Sequence, residues 1–220
     1  MNEKANDNSW IPLIVVACAS FIIVLDSFFM NVSISRIVVD LNTDVSTIQM
    51  IVSFCTLITA ALILFSTKLQ DIVGKKKLFV IGAALFGIGI FAAVLSSSVI
   101  MFFVGWSAIK GVAAALMLPA IVSIISGIYS GKKRTIALAT LGVMAGLADI
   151  LAPLLGGLIT TFFSWRYTFA FELIFILFIL VMQNKIPDFK PTESKSDLDI
   201  IGAVLSGICL LLLVLGILTL

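Results

Sequence analysis

IVSFCTLITAALILFSTKLQDIVGKKKLFVIGAALFGIGIFAAVLSS, residues 51–97, holds two apolar stretches either side of a short connection that carries Lys68, Asp71, Gly74, Lys75, Lys76 and Lys77. A bilayer core of about 30 Å is crossed by about 20 apolar residues in a helix, because every backbone amide must be bonded within the segment. Both stretches meet that length, and the lysines between them mark a turn at a membrane surface. Working outward, the pattern recurs. Apolar stretches run approximately over 11–34, 46–67, 78–97, 99–129, 136–162, 166–185 and 200–220. The predicted fold is an all-α membrane protein: a six-helix bundle plus a seventh transmembrane helix.

Composition supports this and removes other classes. Of 220 residues, 61% are hydrophobic and 12% charged, and the mean hydropathy is +1.23; soluble domains carry about a quarter charged residues. The formal net charge of +2 gives no basis for nucleic-acid binding. Cys18, Cys55 and Cys209 sit apart inside apolar runs, which predicts buried small residues and neither a disulfide framework nor a thiolate metal site. Histidine is absent from the sequence, so no metal site and no cofactor is expected, and any proton relay must use carboxylates. No nucleophile paired with a base and no phosphate loop is present, so an enzyme is not expected.

Charge also predicts orientation. The connections at 68–77, 131–134 and 185–199 hold Lys68, Lys75, Lys76, Lys77, Lys132, Lys133, Arg134, Lys185, Lys190 and Lys195, whereas those at 35–45, 96–98 and 163–166 hold Arg36 and Arg166. The positive-inside rule places the first set in the cytoplasm, with the N-terminus inside a cell membrane. Residues 1–10 are then a cytoplasmic tail, 11–185 a six-helix unit, 186–199 a cytoplasmic linker containing Pro187 and Pro191, and 200–220 the seventh helix. The apolar run after the tail exceeds a signal-peptide core, so the first helix is expected in the mature protein.

Several local patterns stand in order along this frame. Leu69-Gln70-Asp71-Ile72-Val73-Gly74-Lys75-Lys76-Lys77 resembles the G-x-L-x-D-x-x-G-R/K-R/K loop of the major facilitator superfamily, with Thr67 in place of the first glycine. Leu25-Asp26-Ser27-Phe28-Phe29-Met30-Asn31-Val32-Ser33, followed by Asp40-Leu41, is similar to the L-D-x-T-I-V-N-V-A pattern of its 14-helix drug:proton antiporters. Gly142, Gly146, Ala148, Ala152, Pro153, Gly156 and Gly157 form a small-residue stripe resembling G-x-x-x-G-P-x-x-G-G. The fourth helix resembles R-x-x-Q-G-x-G-A-A, with Ser107 at the arginine position and Lys110 at the glutamine position. Trp165-Arg166-Tyr167 and Phe169 resemble the W-R-W-x-F start of the sixth helix.

The resemblance implies a transporter half-domain of two inverted three-helix repeats, a role in export, and protons as coupling ion. It also implies a cytoplasmic gating loop at Asp71, Gly74, Lys75 and Lys76, and a helix-packing motif at Gly146, Ala152, Pro153, Gly156 and Gly157. Plain alternatives stand beside these: a lysine loop that only sets topology, and ordinary close packing of small residues.

Inside the predicted helices lie Asp26, Lys110, Asp149 and Glu172. Charges are costly in lipid, and their similar depth predicts a shared cavity for substrate or protons. Asp26 lies about nine residues, roughly 13 Å, from the outer end of its apolar stretch. It is either a structural carboxylate bonded to Ser or Asn neighbours or a proton or substrate group. Lys110 is expected to pair with Asp149 or Glu172, leaving Asp26 and Glu172 as the leading proton carriers. Phe28, Phe29, Met30, Met117, Met144 and the Phe-rich sixth helix are expected to give the cavity apolar walls suited to lipophilic or cationic drugs.

Alternating access needs two halves, and this sequence supplies one. The expected partners are therefore the bilayer, a small-molecule substrate, protons, and either a missing C-terminal half or a second copy. The chain stops at Leu220, where the seventh helix closes, and so looks truncated. The alternative is a non-transporting membrane protein or an assembly or sensor subunit that keeps the fold.

Overall fold

The computed structural model describes residues 9–189 together with Leu205 and Cys209. The tail over 1–8, most of the predicted linker and, apart from those two residues, the predicted seventh helix lie outside the described residues. Six helices of membrane-crossing length and apolarity occur among the described residues: α1 (Ile11–Asp40), α2 (Val45–Val73), α3 (Lys75–Val94), α4 (Val99–Ile128), α5 (Gly131–Phe162) and α6 (Trp165–Lys185). Each matches one of the first six predicted stretches. Their ends differ from the apolar limits, because a helix continues into polar sequence until a cap or turn stops it.

The main differences are at α1, which runs past Ile34 to Asp40, so that the predicted 35–45 connection shrinks to Leu41–Asp44, and at α2, which runs past Thr67 to Val73. Asp44 caps α2, its carboxylate accepting from the Thr47 backbone N–H at 2.8 Å and the Thr47 hydroxyl at 2.8 Å. Those bonds hold the exposed Asp44 carboxyl below its ordinary value. At the lysine-bearing end, Gly74 alone separates α2 from α3 at φ +101°. Only glycine enters that region without a Cβ clash.

Packing follows a repeat that the residues do not display. The helices α1 and α4 are the most buried, with 67% and 56% of their apolar windows inside the bundle, against 17% for α2 and α5. Helix α1 packs on α5 and α6, and α4 packs on α2 and α3. Exchanging α1 with α4, α2 with α5 and α3 with α6 maps these pairings onto one another, and the α3–α6 contact onto itself. Successive helices are joined by short connections and alternate in direction, so α1 and α4 run oppositely and the two three-helix units are inverted.

Between helices in lipid, close backbone approach and side-chain packing supply the attraction that water supplies elsewhere. The α3–α4 crossing is glycine on glycine: a Cβ on Gly89 would lie 2.7 Å from the Gly105 carbonyl oxygen, and one on Gly105 would lie 2.9 Å from the Gly89 carbonyl oxygen. The small-residue stripe of α5 divides. Ala148, Ala152 and Gly156 face the bundle, and a Cβ on Gly156 would meet the Phe29 ring at 3.1 Å. Gly142, Gly146 and Gly157 have open space around them, and Pro153 and Asp149 are exposed. The predicted packing motif is thus two adjacent stripes, of which the one holding Ala152 and Gly156 is covered by the described residues and the other is not.

Each end of the bundle is tied. Away from the lysines, Arg166 donates to Asp40 and, at 2.7 Å, to the Ser96 carbonyl, while Trp165 Nε1–H donates to Asp40 at 3.1 Å. The start of α6 therefore joins the ends of α1 and α3. Next to the lysines, Trp10 stacks on Tyr129 at 5.4 Å, and Lys76 pairs with Asp188 at 3.1 Å. Phe189 lies beneath Lys75, 5.6 Å from its Nζ. Of the cysteines expected to be buried, only Cys55 is; Cys18 is half-buried and Cys209 exposed.

Candidate functional site

The centre of the bundle is organised by a change of helical pitch. Within α4, residues Phe103–Ile109 are wound as a π-helix, a wider turn found most often at functional sites. Trp106 and Lys110, four residues apart, both turn toward α1. Trp106 Nε1–H donates to Asp26 Oδ1 at 2.9 Å, and Lys110 Nζ donates to Asp26 Oδ2 in a buried ion pair. The Lys110 ammonium also sits over the Trp106 ring, 3.6 Å from its centroid, with the Phe86 ring at 6.0 Å.

Three of the four predicted interior charges meet here. Glu172 is fully buried on the face of α6 that also buries Thr168, Phe169 and Ile176. It stands against Asp26 and interacts electrostatically with both Asp26 and Lys110. Neither of its carboxyl oxygens has a donor among the described residues.

Two sequence expectations are corrected. Lys110 pairs with Asp26, not with Asp149 or Glu172, because height along a helix says nothing of the direction a side chain points. Asp149 lies at a similar depth but is exposed on the open stripe of α5. Asp26 is also not bonded to its Ser and Asn neighbours: Ser27 donates to the Ile23 carbonyl at 3.3 Å and Asn31 to the Ser27 carbonyl at 3.1 Å. With α1 extended to Asp40, Asp26 lies about 21 Å from that helix end rather than roughly 13 Å.

A cavity of about 580 Å³ opens beside the pair, between α1, α2 and α4, with Phe86 of α3 at its back. Its charged lining residues are Asp26 and Lys110, and its apolar wall includes Ile23, Ile63, Leu64, Phe86 and Leu118. Phe29, Met30 and Met117, expected on this wall, are fully buried in the core instead. The hydroxyl of Thr59 is shared between the Cys55 carbonyl at 2.9 Å and the Gly111 carbonyl at 3.0 Å, joining α2 to α4 at the cavity wall.

Trp106 is the site residue that motif matching passes over. Its signal was the Trp-x-x-x-Lys spacing, which sets an indole donor and an ammonium on one helix face. An aromatic column of Trp106, Phe102, Trp165 and Phe169 then links the buried pair to the Asp40–Arg166 tie, with ring centroids 5.6–6.3 Å apart. The predicted loop residues Asp71, Gly74, Lys75 and Lys76 lie far along α2 and α3, at the lysine-bearing end, and do not line the cavity. Among the described residues, no three Asp, Glu or Cys side chains converge as metal ligands.

An inverted pair of three-helix units enclosing a buried ion pair beside a mid-membrane cavity defines one half of a secondary-transporter fold. The chain belongs to the Major Facilitator Superfamily, whose sequence profile matches residues 16–197. It is 26% identical to the riboflavin transporter RibZ of Clostridioides difficile over 94% of this chain and 45% of that protein. It is 31% identical to the cephamycin export protein CmcT of Amycolatopsis lactamdurans, over 93% of this chain and 43% of that protein. With the quinolone resistance protein NorB of Staphylococcus aureus it shares 31% identity over 78% of this chain and 37% of that protein. The chain thus spans less than half the length of these relatives. Among solved structures, a peptide transporter POT in complex with sulfate superposes with a TM-score of 0.75 at 18% identity, covering 94% of this chain and 46% of that one. That likeness is one of fold. Six membrane-length helices and family membership make this a multi-pass membrane protein.

Proposed function

We propose that the chain supplies the first six-helix unit of a proton-coupled exporter of lipophilic, drug-sized compounds, with the lysine-bearing end in the cytoplasm of a cell-membrane protein. The observation that carries this is Glu172, a fully buried carboxyl without a donor among the described residues, set against a buried Asp26–Lys110 pair beside a cavity of about 580 Å³. Ionisable groups in the middle of a membrane are costly and mark pathways for ions or substrates. A cavity of this volume is of the size that holds a drug-like molecule. Exporters of cephamycin and proteins of quinolone resistance among the relatives favour outward transport.

In this reading Glu172 carries the coupling proton. Protonated and dry, it donates its O–H to Asp26; opened to water, it releases the proton. Trp106 holds the Asp26 carboxylate in place through the cycle, and Lys110 is its counter-charge while the cavity is empty. Asp71, Gly74, Lys75 and Lys76 form the loop about which the cytoplasmic end closes, and Asp149, Gly146, Pro153 and Gly157 face the second half of the transport pathway.

The test is a drug-susceptibility panel with the complete coding sequence in an efflux-deficient host, followed by transport into inside-out vesicles under an imposed pH gradient. Gradient-driven transport is expected, and Glu172→Gln should abolish the coupling while leaving ligand binding. Coupled transport that survives both Asp26→Asn and Glu172→Gln would overturn the assignment.

A further inference from the structure

We propose that the cavity selects amphiphilic zwitterions, molecules that carry an ammonium and a carboxylate on an apolar body, by letting Asp26 and Lys110 exchange partners with them. This rests on the reading of the cavity as the substrate site. It goes further by fixing the charge pattern of the ligand.

The charged part of the cavity lining is one anion and one cation already paired with each other. A ligand with a single charge would bring an unmatched charge into a low-dielectric site, where such a charge is expensive. A monocation attracted to Asp26 is repelled by Lys110 beside it, and a monoanion meets the reverse. A neutral ligand avoids that cost and gains no charge-assisted bond. A zwitterion brings no net charge, and its ammonium and carboxylate reach Asp26 and Lys110 to make a square of four alternating charges. Every charge then remains paired, and two charge-assisted bonds to the ligand replace the one between Asp26 and Lys110, a net gain of one.

The geometry makes this exchange inexpensive. Asp26 keeps the Trp106 N–H on Oδ1 at 2.9 Å while Oδ2 turns to the incoming ammonium. Lys110 moves toward the ligand carboxylate under the Trp106 ring, which lies 3.6 Å from its Nζ and continues to face the cation. The apolar wall at Ile23, Ile63, Leu64 and Leu118 takes the body of the ligand. Trp106 is thus a positioning residue for the carboxylate of Asp26.

Four probes built on one aromatic body separate the possibilities: 3-(1-pyrenyl)alanine as zwitterion, its methyl ester as cation, its N-acetyl derivative as anion, and the N-acetyl methyl ester as neutral molecule. Each is measured by equilibrium binding to the full chain in bilayer discs, with empty discs subtracted. The zwitterion should bind at least about tenfold more tightly than the other three, the factor expected of one charge-assisted bond. Lys110→Met should pass the preference to the cation and Asp26→Asn to the anion, while Lys110→Arg should keep the zwitterion first. Equal or tighter binding of the cation or the neutral probe to the unmodified chain overturns the zwitterion rule and leaves the cavity as a ligand site. Failure of all four to bind overturns the rule and the site together. The four-probe comparison on the unmodified chain decides the matter even where a variant does not fold.

Discussion

Replacing Asp26 by Asn leaves the Lys110 ammonium inside the bundle without its counter-charge. The side chains of the pair are 1% and 5% exposed, so neither partner is rescued by water from its own position. Removing one member of a buried pair costs about 3–5 kcal/mol, most of it the unpaired charge that remains. The asparagine side-chain oxygen still accepts from Trp106 Nε1–H, so the loss falls on Lys110 alone. For a chain of this length each kcal/mol moves the unfolding midpoint by about 2–4 °C, so a loss of about 3 kcal/mol lowers it by about 6–12 °C. Lys110→Met should cost a similar amount by stranding Asp26. The double variant Asp26→Asn/Lys110→Met removes both charges and should be more stable than either single one. The assay is a fixed-rate thermal melt of the four proteins in one detergent, read by intrinsic tryptophan fluorescence. Single variants that each lose less than about 1 kcal/mol, or a double variant that loses the sum, would refute the buried-pair account.

Other parts of the bundle respond separately. Gly89→Ala should cost about 1–3 kcal/mol by the same melt, because the added carbon lands on a backbone oxygen of α4 that has no rotamer to escape to. Gly142→Ala, with open space around it, should be neutral within about 0.5 kcal/mol. At the turn between α2 and α3, Gly74→Ala should cost about 1–2 kcal/mol, since alanine is strained at φ +101°; no change in melting would show that the turn relaxes freely. The cap of α2 carries a pH dependence. The Asp44 carboxyl is held below its ordinary value of 3.8, so its contribution is full above that value and lost as pH falls through the lower folded value. The protection factor of the Thr47 amide, taken against the intrinsic exchange rate at each pH, should therefore fall at acid pH in the natural chain and already be low at neutral pH in Asp44→Ala.

The six helices are legible in the residues because lipid demands long uninterrupted apolar runs, and few other signals are as strong. Their ends are less legible. The extension of α1 to Asp40 is masked by Ser35 and Arg36, which interrupt the apolar run before Ile37, Val38 and Val39 resume it, and its end is held by Trp165 and Arg166 from a distant part of the chain. Asp26, Lys110 and Glu172 could be singled out as charges at membrane depth. Depth fixes one cylindrical coordinate only. The angle about the helix axis sent Asp149 outward and turned Lys110 to Asp26, and the π-wound stretch of α4 that sets this angle leaves no mark that periodicity detects. Trp106 shares a helix face with Lys110 by its spacing, but the sequence does not show that this face turns to Asp26.

The two stripes of α5 carry a practical warning for mutational surveys. Alanine placed at Gly142, Gly146 or Gly157 touches nothing among the described residues, so a screen for folding or abundance is expected to score these positions as freely replaceable. A screen for transport by a longer relative reads whatever packs on that surface as well, and the two maps are expected to disagree there while agreeing at Ala152 and Gly156. That divergence would separate residues retained for the bundle itself from those retained for what lies across from it.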